Sequence, residues 1–308
     1  MRKPRPMILA AALVAALSVS AGVITGLTNP ATQAESLAPF PVSARQVSIP
    51  GPVIPLANDA SAGKVVFTFD DGPDCYTPAL LAEMGRLHLD GVFFVFGYKV
   101  AEHPSEVRAE VHAGDLVEVH TFDHLSFTGA STDTAPLDAS KISAELASTT
   151  QEIEAAGAPA PTQYRPPFGD ITAADNKIAA GLGLRIVQPF SVVPGGNIVD
   201  SGDWHAWSPS RIASQVEYGY WAAPQGHQVH LPGLAQGARV IGFHDSGSPS
   251  CGQGGAQDDY PAAMIRSLPL IVDWMNAHHL GVTTSVPADA TGGAVPVIPV
   301  STARKQAP

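Results

Sequence analysis

Between residues 62 and 287 the chain alternates short apolar runs with segments of helical spacing. Residues 64–69 are β-branched and aromatic, which predicts a buried strand. Residues 78–87 repeat apolar positions at helical intervals. Residues 91–96 (GVFFVF) predict a second strand, residues 104–113 a helix stopped by Gly114, and residues 116–119 a third strand. A helix over 141–156 is closed by Gly157. Short strands follow at 185–188, 239–243 and 281–286, with a long helix over 260–279 before the last. This alternation, without an internal repeat, predicts one α/β domain on a parallel sheet, and its size points to a barrel. In such barrels the chemistry collects at the C-terminal ends of the strands.

The flanks read differently. Arg2, Lys3 and Arg5 precede a charge-free apolar run over 7–27, the pattern of a signal peptide. Val19-Ser20-Ala21 or Thr32-Gln33-Ala34 offers small residues for a peptidase. The other reading is a retained membrane anchor, since about 20 apolar residues span a bilayer. Residues 1–34 are therefore expected to export the rest, giving a secreted protein whose only membrane contact is such an anchor. Residues 35–61, rich in Ala, Pro and Ser, read as a linker, and residues 288–308 as a disordered tail.

Charge narrows the partners. The formal net charge is -11, with 28 acidic against 17 basic residues, and no acidic residue precedes Glu35. An acidic domain argues against nucleic acid as the partner. The two cysteines, Cys75 and Cys251, suggest one disulfide in an exported chain.

Five polar clusters sit at or near strand ends. Thr68-Phe69-Asp70-Asp71-Gly72-Pro73 places two carboxylates before a turn. His120-Thr121-Phe122-Asp123-His124 follows the third strand. Two histidines four apart share a face of a helical turn, and with a carboxylate from Asp70 or Asp71 they make a zinc-type donor set with an open position. Arg165-Pro166-Pro167-Phe168-Gly169 is a stiff loop able to aim a backbone N–H. Asp200-Ser201-Gly202-Asp203-Trp204 and Gly242-Phe243-His244-Asp245 add an acid and a histidine suited to proton transfer. Singly, each has a structural explanation as a turn, a cap or a packed loop.

Together, and in this order, the clusters resemble the five motifs of the polysaccharide deacetylase family, the NodB-homology carbohydrate esterases of family 4. TFDDGP at 68–73, HTFDH at 120–124, RPPF at 165–168, DSGDW at 200–204 and GFHD at 242–245 carry the resemblance, which extends over about residues 64–286. It implies a distorted, incomplete (β/α) barrel over 62–287. It implies that Asp71, His120 and His124 bind a divalent metal, zinc first, and that Asp70 is the general base paired with Arg165. His244 becomes the general acid held by Asp203. The Phe168 backbone N–H becomes an oxyanion donor, and Trp204 a wall of the acetyl pocket.

The reaction implied is N-deacetylation of an amino-sugar polysaccharide, of peptidoglycan or chitin type, by a monomer. An O-acetyl xylan esterase using the same site, and a non-catalytic wall-binding protein, are the alternatives. Asp123, Asp200 and Asp245 receive no catalytic role. If the first and last motifs share one site, Cys75 and Cys251 are expected to form a disulfide at its rim. Phe168 stands where the family has Tyr, and Gly242 where it has Leu. The stretch from Trp204 to His244, with Tyr218, Tyr220, Trp221, His227 and His230, reads as an added aromatic loop that either stacks on sugar or packs on itself.

Overall fold

The computed structural model describes residues 48–49, 51, 53–58, 60–188, 197–222, 229–246 and 260–287. The export segment at 1–34 and the tail at 288–308 lie outside these residues. Residues 53–58, read above as linker, lie against the domain. Leu56 is buried and its N–H donates to the Leu87 carbonyl at 2.8 Å, while the Val282 N–H reaches Asn58 Oδ1 at 3.1 Å.

The expected alternation is present. Strand β1 (Lys64–Asp70) is buried along all but its first residue, as a strand covered on both faces must be. Helix α1 (Thr77–Leu87) starts at a Pro-bearing first turn and leads to β2 (Gly91–Val95). Helices α2 (Gly97–Glu102) and α3 (Pro104–Ala113) follow, and Gly114 ends α3 at φ 102. Next come β3 (Leu116–Val119), then α4 (Ala139–Ala155), whose first turn is capped by the Asp138 side chain accepting from the Lys141 N–H. Strand β4 (Gln163–Tyr164), α5 (Ala173–Gly181), β5 (Arg185–Ile186) and β6 (Ile198–Asp200) continue the series.

The stretch after Trp204 corrects the loop expectation. It contains helix α6 (Pro209–Tyr218) and a small antiparallel pair, β7 (Tyr220–Ala222) with β8 (Val229–Leu231). Tyr218 packs edge-on against Trp274, so part of this stretch packs on the protein itself. His227 lies outside the described residues. Strand β9 (Val240–His244), helix α7 (Tyr260–Ala277) and β10 (Gly281–Val282) complete the domain.

The main sheet runs β5-β4-β3-β2-β1-β9-β6, with β10 pairing the start of β1, and all these pairings are parallel. Helices pack around it, and the result is an open, distorted (β/α) barrel. Phe67, Phe69, Phe93 and Phe243 stack at the centre of the core. No described helix is long and apolar enough to cross a membrane.

Candidate active site

Register brings the clusters together. Asp70, the last residue of β1, is the Cα partner of His244 on β9 and of Phe94 on β2. Val119 pairs with Tyr164, so His120 and Arg165 leave neighbouring strand ends side by side, and Asp200 pairs with Gly242. Because every pairing is parallel, all five clusters emerge at the same edge of the sheet.

At that edge the two adjacent carboxylates part company. Asp70 still belongs to the strand, whereas Asp71 turns into the left-handed region at φ 78. Asp71 Oδ1 lies 3.4 Å from His120 Nε2 and 3.8 Å from His124 Nε2. One ligand atom from each of the three residues falls within 4.8 Å of the others. The histidine pair does not sit on a helical turn, contrary to the spacing argument. His120 directly follows β3, and the chain then folds back through left-handed Thr121 (φ 70) and His124 (φ 57). The Thr121 hydroxyl accepts from the His124 N–H at 3.2 Å. Buried Glu145 on α4 accepts the N–H groups of Phe122 and Asp123, both at 2.9 Å. A side-chain carboxylate thus stands in for the helical hydrogen bonds that this turn lacks.

The donor chemistry fits a divalent cation. His120 Nδ1 lies 2.7 Å from the Arg165 carbonyl, which can only accept, so the proton is on Nδ1 and the Nε2 lone pair faces Asp71. Burial lowers the His124 imidazole to about 4, keeping it neutral and able to coordinate. Asp71 Oδ1 is buried and accepts no hydrogen bond among the described residues. Burial would raise its carboxyl, but contact with His120 and the charge of His244 across the site hold it below the ordinary range. Two nitrogens and one carboxylate oxygen are a donor set that suits zinc.

Two ion pairs flank this trio. Asp70 Oδ1 is 2.6 Å from Arg165 Nη1, and the same nitrogen donates to Thr68 Oγ1 at 2.8 Å. Arg165 is fully buried, with its guanidinium 4.3 Å from the Phe94 ring centre. Across the site, His244 Nδ1 is 2.8 Å from Asp203 Oδ1, and Asp203 Oδ2 accepts the His244 N–H at 2.8 Å. Burial pulls the His244 imidazole down, but Asp203, joined by Asp71 and Asp70, raises it to about 10.

Phe168 adopts φ 58 in a turn over Pro167–Gly169 and packs its half-exposed ring 4.4 Å from that of His124. Trp204, 41% exposed, donates its N–H to Asp203 Oδ1 at 2.9 Å. Asp123 is exposed, near Lys141. Cys75 is buried just beyond Asp71, while Cys251 lies outside the described residues.

Sequence reasoning missed several supports. Buried Lys99 donates to the Asp71 carbonyl at 2.9 Å and to the Ser246 hydroxyl, tying the first cluster to the last. Asp245, fully buried behind them, accepts from Thr77 Oγ1 at 3.2 Å. Burial and nearby Asp74 push its carboxyl well above the ordinary range, against the pull of Lys99. It fills the space beside Gly72, where a Cβ would lie 2.1 Å from Asp245 Oδ2.

The open barrel gathers at its strand ends a candidate metal trio between an acid–arginine pair and an acid–histidine pair, a set of groups suited to metal-assisted hydrolysis. Comparison with known proteins agrees. A family model for polysaccharide deacetylases matches residues 57–187. The chain is 32% identical to chitin deacetylase 1 of Cryptococcus neoformans over 140 residues, 45% of this chain and 28% of that protein. It is 30% identical to a peptidoglycan-N-acetylglucosamine deacetylase of Listeria monocytogenes over 225 residues, 72% of this chain and 41% of that protein. A family 4 carbohydrate esterase from Streptomyces lividans, solved in complex with acetate, aligns at a TM-score of 0.56 and 28% identity, covering 76% of this chain and 97% of that one. Residues 57–187 thus match the polysaccharide deacetylase family, and the chain spans less than half the length of these two curated relatives.

Proposed function

We propose that the protein is a zinc-dependent N-deacetylase of an exported amino-sugar polysaccharide, with peptidoglycan as the first candidate, acting as a monomer outside the cytoplasm. The observation that carries this reading is the single constellation of Asp71, His120 and His124 between the Asp70–Arg165 and His244–Asp203 pairs. A cation held by Asp71, His120 and His124 supplies Lewis-acid polarisation and makes water more acidic when bound.

The remaining chemistry belongs to the chain. Asp70, fixed by Arg165, accepts the proton of a water attacking the acetamide carbonyl carbon. The Phe168 N–H donates to the oxygen that gains charge, the arrangement in which one donor counts most. An amine anion is a poor leaving group, so the nitrogen must gain a proton as the C–N bond breaks. His244, kept as imidazolium by Asp203, gives it. Trp204 walls the space for the acetyl methyl and excludes water from it. The products are acetate and a free amine.

The deciding experiment couples metal analysis to acetate release. The purified protein is assayed on N-acetylglucosamine oligomers, peptidoglycan and acetylxylan, before and after chelation. Chelation should abolish release from the amino sugars, and zinc should restore it. Release from acetylxylan alone would make the protein an O-acetyl esterase. Bound metal with no release from any polymer would leave a binding protein.

A further inference from the structure

Beside the reaction centre, four side chains that the deacetylase chemistry does not use as a group form a stacked series. The Trp204 and His205 rings lie 3.6 Å apart at 28°, and the His205 and Trp207 rings 4.7 Å apart at 15°. The Arg211 guanidinium carbon lies 3.8 Å from the Trp207 ring centre. Consecutive residues do not stack in an ordinary strand or helix. Here a 3-10 turn over Asp203–His205 is bracketed by two left-handed residues, Gly202 (φ 67) and Ala206 (φ 56), which fold the backbone back on itself. Gly202 also makes room, because a Cβ there would lie 2.4 Å from Trp207 Cζ3.

The series is exposed at Trp204, His205 and Arg211 and half-buried at Trp207. It begins at Trp204, whose N–H shares the Asp203 carboxylate with His244, so it runs outward from the proposed general acid.

Its charge is out of place for stability alone. Arg211 sits in the first turn of α6, after the Ser208 cap and Pro209, where the helix dipole disfavours a cation. Among the described residues no carboxylate pairs with it, in a chain of net charge -11. Burial, with the nearby Arg211 charge, lowers the His205 imidazole, so the series is neutral until it reaches the guanidinium. A guanidinium stacked on an indole keeps its N–H donors at the edge, in the fork geometry that suits a carboxylate.

We propose that the Trp204–His205–Trp207 stack holds Arg211 as the outer end of a glycan subsite, where the guanidinium receives a carboxylate carried by the polymer beyond the reacting sugar. This rests on the deacetylase reading and deepens it. It selects a carboxylate-bearing glycan, such as a peptide-substituted wall strand or a uronic-acid polymer, over a neutral chitin chain.

The test uses Arg211→Gln, which changes a surface charge, and Trp207→Phe and Trp207→Ala, where the Phe variant keeps most of the packing. Kinetics are measured on peptide-bearing peptidoglycan oligomers, glucuronic-acid-substituted acetylxylan and neutral N-acetylglucosamine oligomers of two lengths. Arg211→Gln should raise KM about fivefold on carboxylate-bearing polymers, flatten its dependence on salt, and leave neutral oligomers unchanged. The Trp207 variants, which weaken or remove the ring that holds Arg211, should raise KM about threefold to fivefold on carboxylate-bearing polymers, the Ala variant more than the Phe variant, and leave neutral oligomers unaffected.

Binding of the same oligomers to a Asp70→Asn background, followed by calorimetry, reads the subsite without turnover. Equal effects of Arg211→Gln on neutral and charged polymers, or no effect on either, would overturn the proposal. If the wild type releases no acetate while binding still depends on residues 207 and 211, the deacetylase reading fails and the subsite stands. Acetate release with binding indifferent to both residues is the reverse.

Discussion

Replacing Asp203 with Asn removes a charge while almost preserving shape, and its effect should be read most clearly in the alkaline limb of the activity profile. His244 is raised from 6.5 to about 10 against the opposing pull of burial, and Asp203 supplies the largest upward contribution. A shift of that size corresponds to about 5 kcal/mol of preference for imidazolium. In Asp203→Asn the burial cost persists while its main compensation is gone, so the imidazole should fall to 6.5 or below. At pH 8 a group with a pKa of 10 is about 99% protonated, and one at 6.5 about 3%. The variant should therefore lose about thirtyfold in kcat/KM at pH 8 and recover much of it on acidification. The profile is measured by acetate release, and the His244 titration is followed independently by NMR of ring-labelled protein.

Stability follows the same sign. A histidine raised on folding stabilises fully below its unfolded value near 6.5, and that contribution is lost as pH rises through about 10. The stability gap between wild type and Asp203→Asn should thus be widest at mildly acidic pH and close above 10. An alkaline limb identical in the two proteins, with an unchanged NMR titration, would refute the reasoning.

Other perturbations test the supports around the cation ligands. Glu145→Gln removes the negative charge from the side chain whose Oε2 accepts both backbone N–H groups of the histidine turn, and should weaken zinc binding about tenfold in a competition titration. Lys99→Met cuts the tie between the Asp71 carbonyl and Ser246, and should lower both metal affinity and the melting temperature while leaving the His244 titration near its wild-type position. Gly72→Ala drives a methyl into the Asp245 carboxylate and should cost more than about 2 kcal/mol in denaturant unfolding. Intact mass with and without reductant should reveal one Cys75–Cys251 disulfide, and two free thiols would dismiss it.

The periodic parts of the chain were legible in the sequence. The strand at Leu116–Val119 and the helix at Pro104–Ala113 coincide with the expectation, because buried β-branched runs and a Pro-to-Gly helix frame are strong local signals. Strands β4 and β6 escaped, being too short to show a period. Helix α6 has a readable start in Ser208-Pro209, but the surrounding aromatic residues made the stretch look like loop.

At the site, motif order named the residues proposed as ligands and proton carriers, and the structure brings their side chains to one end of the sheet. Their supports were not. Glu145 four residues after Lys141 looks like an ordinary surface pair on a helix, yet its carboxylate is buried under the histidine turn. Lys99 reads as a solvated lysine, and only the fold places it between residues 71 and 246.

The pairing of Asp70 with His244 joins residues far apart along the chain, whereas Asp71, His120 and His124 all come from its first half. The residues proposed to hold a cation and the one proposed to protonate the amine are consequently carried by separate stretches of one polypeptide. The matched stretch at 57–187 holds the former, and the later strands bring the proton donor together with the aromatic shelf beside it. Changes confined to that later portion can retune which polymer is accepted, and how its amine departs, without disturbing how the ion is grasped.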